Sequence, residues 1–169
     1  MSIATDITQP RAAAPIEITR AGKDFRLFTE IELPAPRAEA FDFFSKASNL
    51  ELITPDFVNF KILTPLPFEM RPGAKLDYRI RLKGIPIRWR TNICEWEPEE
   101  RFVDEQERGP YRKWHHEHVF VDQGETTLMQ DIVHYRVWLS SIFHPLMVKK
   151  DLLRIFEYRQ QKILELFAE

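Results

Sequence analysis

Apolar and polar residues alternate along most of the chain between Phe25 and Trp138, which is the period-2 pattern of half-buried β-strands. The pattern predicts seven strands, whose sequences are FRLFTEIEL, FVNFKIL, KLDYRIRL, IPIRWRTNI, RFVDEQER, KWHHEHVFV and TTLMQDIVHYRVW. Turn-forming residues, including Gly73, Gly84 and Gly124, separate most of them. Short strands that follow one another so closely are typical of an antiparallel meander.

Three segments have helical instead of strand periodicity. PRAEAFDFFS and SNLELITP predict two short helices directly after the first strand, and the segment from Pro145 to Phe167 predicts one long helix. The long helix has an apolar stripe made of Val148, Leu152, Ile155, Phe156, Ile163, Leu166 and Phe167. The predicted fold is therefore α+β, in the order β-α-α-β6-α. A curved antiparallel sheet of about seven strands would grip the long C-terminal helix.

Composition and length limit the possible classes of protein. Residues 1–22 are predicted to be a flexible N-terminal arm, although Ile16-Glu17-Ile18 could pair with a sheet edge, and residues 23–169 are predicted to form one domain. The net charge of −2 gives no general attraction to nucleic acid, and no apolar run is long enough for a transmembrane segment. Five dispersed glycines exclude a glycine-rich phosphate loop, and a single cysteine excludes an internal disulfide. We expect a cytoplasmic protein with no cofactor, whose oligomeric state the sequence leaves open.

The run from Phe102 to Phe120 has the pattern F-x-D-x-Q-x-x-G-P-Y-x-x-W-x-H-x-H-x-F. Together with GIPIRWRTNI, DIVHY and DLLRIFEYR, this run resembles the bacterial polyketide cyclase/dehydrase-like ligand-binding proteins of the helix-grip superfamily (START-like and Bet v 1-like, SRPBCC). The resemblance covers about Phe25 to Phe167. It implies an elongated, largely apolar cavity between the sheet and the long helix, and it implies no particular reaction.

Polar residues share the inward face of three predicted strands with large apolar residues. They are Asp104, Gln106, His116, His118 and Asp131. Arg159 lies inside the apolar stripe of the long helix, where it could pair with Asp104 or Asp131 or hold the carboxylate or phosphate of a ligand. On the outward face, Glu105 and Glu107 are expected to pair with Arg88 and Arg90 across neighbouring strands.

The inward polar residues allow several functions. The leading hypothesis is the binding of an amphipathic or hydrophobic small molecule, either lipid-like or aromatic and polyketide-like, in the internal cavity. The candidate ligand-binding residues are Tyr78, Trp89, Asp104, Gln106, Trp114, His116, His118, Asp131, Tyr135, Phe156 and Arg159.

The alternative is an enzyme of the cyclase/dehydrase type, in which His116 or His118 acts with Asp131 in acid–base catalysis. A buried hydrogen-bond network without further function and a chaperone groove for a protein segment are also open. His116, His118 and Asp131 could ligate a metal, but because the superfamily usually binds none, no metal is expected.

Overall fold

A single antiparallel sheet of eight strands organises the part of the chain that the structure, a computed structural model, describes: residues 13–138 and 147–168. The strands are β1 (Glu17–Ala21), β2 (Asp24–Leu33), β3 (Lys61–Ile62), β4 (Lys75–Leu82), β5 (Ile85–Glu97), β6 (Arg101–Arg108), β7 (Lys113–Asp122) and β8 (Thr127–Arg136). Their order in the sheet is β1-β2-β8-β7-β6-β5-β4-β3. Strands β3 to β8 thus form the predicted meander, and β2 closes it by pairing with β8.

Strand β1 lies inside the segment that was expected to be a flexible arm. It pairs with β2 over five residues, and Gly22, with φ of 64°, makes the turn between them. Before the strand, the Ala14 N–H donates a hydrogen bond to the Glu30 carbonyl at 3.2 Å. Without β1, the backbone N–H and C=O groups along the outer edge of β2 would have no hydrogen-bond partners. The preceding segment supplies these partners by forming β1. The rest of the predicted arm, residues 1–12, lies outside the described residues.

The helices flank this sheet in the predicted order, with one difference. Helix α1 (Arg37–Ser45) buries Ala40, Phe41 and Phe44, as its periodicity predicted. The second predicted helix is reduced to a 3-10 turn over Ala47–Leu50, followed by another over Asp56–Val58. An extended residue before the first turn and Pro55 after it leave too little chain for a stable α-helix.

Helix α2 (Lys149–Leu166) packs its buried side chains against the sheet. Leu152 and Phe156 join a core cluster with Leu27 of β2 and Val133 of β8, which fixes the helix across these central strands. The predicted start of the helix, Pro145, lies outside the described residues. Neither α1 nor α2 is long and apolar enough to cross a membrane.

Irregular pairing between β5 and β6 bends the sheet and changes its surface ion pairs. The register shifts at Arg90/Thr91 and again between Ile93 and Glu95, and such bulges increase local bending and twist. Because of the first shift, Arg90 lies opposite Arg108, not opposite a glutamate. Arg90 binds Asp77 instead, with Nε 2.8 Å from Oδ1.

The two glutamates predicted as cross-strand partners have other contacts. Glu107 pairs with Lys75 at 2.8 Å, and Glu105 contacts His115 at the same distance. The predicted pairing of Glu105 and Glu107 with Arg88 and Arg90 is therefore wrong.

Candidate functional site

A cavity of about 170 Å³ lies between the sheet and α2. Tyr78 of β4, Trp89 of β5, Trp114 of β7 and Phe156 of α2 line its apolar part, where the inward face of each element was expected to place them. The rings of Tyr78 and Trp89 stack with centroids 5.8 Å apart, and Trp89 meets Trp114 edge-on at 5.5 Å. The cavity therefore has a preformed aromatic wall.

Two residues of this wall, Thr91 and Tyr111, were not among the predicted ligand-binding residues. Tyr111 lines the cavity with its ring centroid 4.7 Å from that of Trp114. Thr91 accepts a hydrogen bond from the Trp89 indole N–H at 3.1 Å and lies 3.4 Å from the Tyr78 hydroxyl. Burial raises the pKa of both tyrosines, so each keeps its proton at neutral pH. The G-P-Y motif could have indicated Tyr111. The period-2 alternation makes no prediction for Tyr111, because this residue lies in a turn between two strands.

Two aspartates and two histidines form a closed ring at the polar end of the cavity. Asp131 Oδ1 lies 2.7 Å from His116 Nε2 and 2.9 Å from His118 Nδ1. The second of these contacts lies at an angle unfavourable for a hydrogen bond. Asp104 Oδ2 lies 3.0 Å from His118 Nε2 and 3.8 Å from His116 Nδ1. Each carboxylate thus faces both imidazoles, and each imidazole faces both carboxylates.

The environment of this ring separates the pKa values of the two histidines. Burial lowers the pKa of His116, and the neighbouring His118 lowers it further, more than the carboxylates raise it. Burial also opposes ionisation of His118, but Asp104 and Asp131 outweigh it and raise the His118 pKa. His118 is accordingly the imidazole that holds the second proton more readily. A histidine held by carboxylates beside a cavity has the arrangement on which the acid–base alternative depends.

Arg159 projects from α2 toward this ring without pairing with it. Its Nε is buried and has no hydrogen-bond partner, and no carboxylate of the described residues lies within 4.0 Å of the guanidinium. Burial raises the pKa of Asp131, but the charge of Arg159 is the largest opposing cause and helps to hold that pKa well below its usual value. Of the two alternatives for Arg159, a direct ion pair with Asp104 or Asp131 is not formed, and the guanidinium lines the cavity.

Three of the predicted ligand-binding residues do not line the cavity. Gln106 binds the following turn instead, because its amide donates to the Tyr111 carbonyl at 2.7 Å and accepts from the Tyr111 N–H at 3.1 Å. A Cβ at Gly109 would collide with the Gln106 side chain, which explains the glycine in this turn. Tyr135 is fully buried in the core, and Asp131 lies behind the histidines.

The same cluster is the one group of described residues with the arrangement of a metal site. Asp104, His116 and His118 each offer a ligand atom, and these three atoms lie within 4.8 Å of one another. The sequence had suggested Asp131 as the third ligand. In the structure, Asp131 lies on the side of both imidazoles that faces away from the cavity, the far side. Asp104 lies on the side that faces the cavity, the near side.

Comparisons with known proteins agree with this architecture. No protein-family model and no curated protein matches the chain. Among solved structures, ginseng major latex-like protein 151 from Panax ginseng is 13% identical with a TM-score of 0.65, covering 88% of this chain and 100% of its own. The Zhui aromatase/cyclase from a Streptomyces species is 10% identical with a TM-score of 0.63, covering 86% of this chain and 94% of its own. The chain has the helix-grip, Bet v 1-like fold.

This fold also occurs as one part of a longer protein. The nucleoside-diphosphate sugar epimerase from Corynebacterium glutamicum is 26% identical with a TM-score of 0.57, over 82% of this chain and 28% of that one. These structures confirm the helix-grip fold that the resemblance of the Phe102 to Phe120 pattern led us to expect. At such low identity, function must be argued from the residues of the cavity.

Proposed function

We propose that the protein binds a small amphipathic molecule in the cavity between the sheet and α2. The observation that carries the proposal is the combination of an aromatic wall with one buried guanidinium nitrogen, Arg159 Nε, that has no partner. A mainly apolar pocket with a few convergent polar groups is typical of small-molecule sites.

The size of the cavity favours a compact ligand. An apolar cavity of about 150 Å³ holds benzene, whereas pockets for drug-sized molecules begin at about 300 Å³. The present cavity, of about 170 Å³, suits one aromatic ring or a short acyl chain. An extended lipid or a multi-ring polyketide, both of which the sequence allowed, would require the walls to move apart.

The polar end of the cavity favours a ligand with an acceptor oxygen. Asp104, His116 and His118 are already held by contacts with one another or with Asp131. Arg159 Nε is a donor without one, and an unsatisfied buried donor costs about 1–3 kcal/mol. A carboxylate, carbonyl or phenolate oxygen placed there would recover this energy, and an ionised oxygen would gain most.

The fold is compatible with such a ligand. One solved protein with the same fold is named an aromatase/cyclase, which supports a ring-sized occupant for this cavity. Binding would give Arg159 Nε, a buried donor without a partner, a hydrogen-bond acceptor. Acid–base turnover by His116 or His118 with Asp131 stays a prediction from the sequence.

Titration with two matched small molecules tests the proposal. Benzoate and toluene have the same ring, and benzoate alone offers an acceptor group. Because Trp89 and Trp114 line the cavity, intrinsic fluorescence reports occupancy, and calorimetry gives the affinity. The variants are Arg159→Met, which removes the donors but keeps much of the length, and Arg154→Met on the exposed side of the same helix. A chelator is kept in all solutions, so that no metal contributes to binding.

We expect the unmodified protein to bind benzoate more tightly than toluene. Arg159→Met should weaken benzoate by about tenfold or more and leave toluene within about twofold, because a charge-assisted hydrogen bond is worth about 1.5–3 kcal/mol. Arg154→Met should change neither affinity. Equal affinity of the unmodified protein for both molecules, or failure to bind either, would contradict the proposal.

A further inference from the structure

The ring of two aspartates and two histidines has two sides, because one carboxylate faces each pair of imidazole nitrogens. His116 Nε2 and His118 Nδ1 both face one oxygen, Oδ1 of Asp131, at 2.7 and 2.9 Å. The opposite nitrogens, His116 Nδ1 and His118 Nε2, both face one oxygen of Asp104, at 3.8 and 3.0 Å. If both N–H groups point to Asp131, two lone pairs and a carboxylate oxygen meet at Asp104. A cation between them makes that meeting favourable; without one, a second proton on His118 would serve, donating from Nε2 to Asp104.

Asp131 is placed where a protein metal site has its outer carboxylate. A metal-bound histidine almost always gives its other N–H to a carboxylate or carbonyl, which fixes the tautomer and aims the ligating nitrogen. Asp131 faces the far nitrogens of both histidines, and its side chain is only 5% exposed. A slight rotation of the His118 ring would complete the second hydrogen bond, which now lies off line.

The near side offers three ligand atoms at suitable distances. Ligands about 2.0–2.1 Å from a tetrahedral zinc ion lie about 3.4 Å from one another. The Asp104 carboxylate lies 3.0 and 3.8 Å from the two imidazole nitrogens, on either side of that value. No pair among the ligand atoms of Asp104, His116 and His118 is more than 4.8 Å apart. Shifts of about 1 Å or less would therefore bring all three to coordination distance.

We propose that Asp104, His116 and His118 bind a zinc ion at the polar end of the cavity, with Asp131 as the outer carboxylate. Two imidazoles and one carboxylate suit Zn²⁺, whereas Mg²⁺ and Ca²⁺ prefer oxygen ligands. Because all three ligands line the cavity, the fourth position opens into it. With neutral imidazoles, the ion, the two carboxylates and Arg159 sum to a local charge of +1, which favours an anionic group at that position.

Zinc titration of protein pretreated with chelator, then freed of it, tests the site and does not depend on the organic ligand. Calorimetry with zinc chloride gives stoichiometry and affinity, and the visible absorption of the cobalt(II) form reports a four-coordinate site. We expect one equivalent of zinc per chain. His118→Ala should weaken binding by at least about 100-fold, and Asp131→Asn by about 10–100-fold, as is usual for an outer-shell partner.

A second variant and a matched control keep this test decisive. Asp104→Asn keeps the side-chain shape at a position that is already 16% exposed, so it serves if His118→Ala does not fold. The control is His115→Ala, on the opposite face of the same strand, where His115 contacts Glu105 and lies across from His134. Zinc binding that survives His115→Ala and is lost with Asp104→Asn or His118→Ala supports the site. Absence of stoichiometric binding, or binding lost only with His115→Ala, overturns it.

Discussion

Replacement of Asp131 by asparagine should cost much of the stability of the fold, because its carboxylate faces two imidazoles away from water. The side chain is 5% exposed, with Oδ1 2.7 Å from His116 Nε2 and 2.9 Å from His118 Nδ1. Breaking a buried charge pair costs about 3–5 kcal/mol. Since the asparagine oxygen can still accept one hydrogen bond, we expect a loss near the lower limit, about 3 kcal/mol. For a domain of this size, that corresponds to a fall in Tm of about 6–12 °C.

Urea denaturation at pH 7 measures this loss, followed by circular dichroism and tryptophan fluorescence with a chelator present. The control is Asp122→Asn at the exposed end of β7, where the carboxylate accepts the Gly124 N–H at 2.9 Å and the amide oxygen can replace it. The control should change the free energy of unfolding by less than about 0.5 kcal/mol. A loss below about 1 kcal/mol for Asp131→Asn would refute the reasoning, since the carboxylate would then not be paired in the folded protein.

Two further predictions concern the N-terminal side of the sheet. A hydrogen bond from Lys113 is the largest cause that lowers the pKa of Asp24, so this carboxylate stabilises the fold above its unfolded pKa of about 3.9 and less as pH falls through its folded value. Asp24→Asn should therefore cost about 1 kcal/mol at pH 7 and progressively less as the pH falls below about 4, as measured by urea denaturation over a series of pH values. Gln160→Ala should cost about 1–3 kcal/mol in the same assay, because the buried Gln160 amide donates to the Ala14 carbonyl and the Thr29 hydroxyl. An unchanged midpoint would mean that these bonds are not formed in solution.

Alternation along the strands was sufficient to place most of the candidate site. His116 and His118 are 4% and 3% exposed, as the inward parity of their strand requires. A strand side chain has only two faces to choose from, and a slip of one residue would expose the whole apolar set to water. The helical period placed Phe156 in the core and Arg159 toward the cavity by the same argument.

The period-2 alternation predicted the wrong contacts where the chain leaves the regular strand. It also does not indicate how far an inward side chain lies from the cavity. The bulge at Arg90/Thr91 places Arg90 away from the glutamates that were expected to pair with it. The sequence pattern does not predict a bulge at this position. Gln106 and Asp131 point inward as predicted, but one binds the turn at Tyr111 and the other lies behind the histidines. Period 2 gives the face of a residue and not its distance from the cavity.

The sequence by itself determined the order of the elements, the inward face of each strand, and the set of polar residues buried among apolar ones. These follow from local periodicity and from the free energy of removing apolar surface from water, which depend on neighbouring residues along the chain. Only the tertiary structure decided that Asp104, and not Asp131, faces the cavity side of His116 and His118, and that no carboxylate among residues 13–138 and 147–168 pairs with Arg159. Those relations depend on register, bulges and the position of α2 across the sheet, all set by contacts between residues far apart in the sequence.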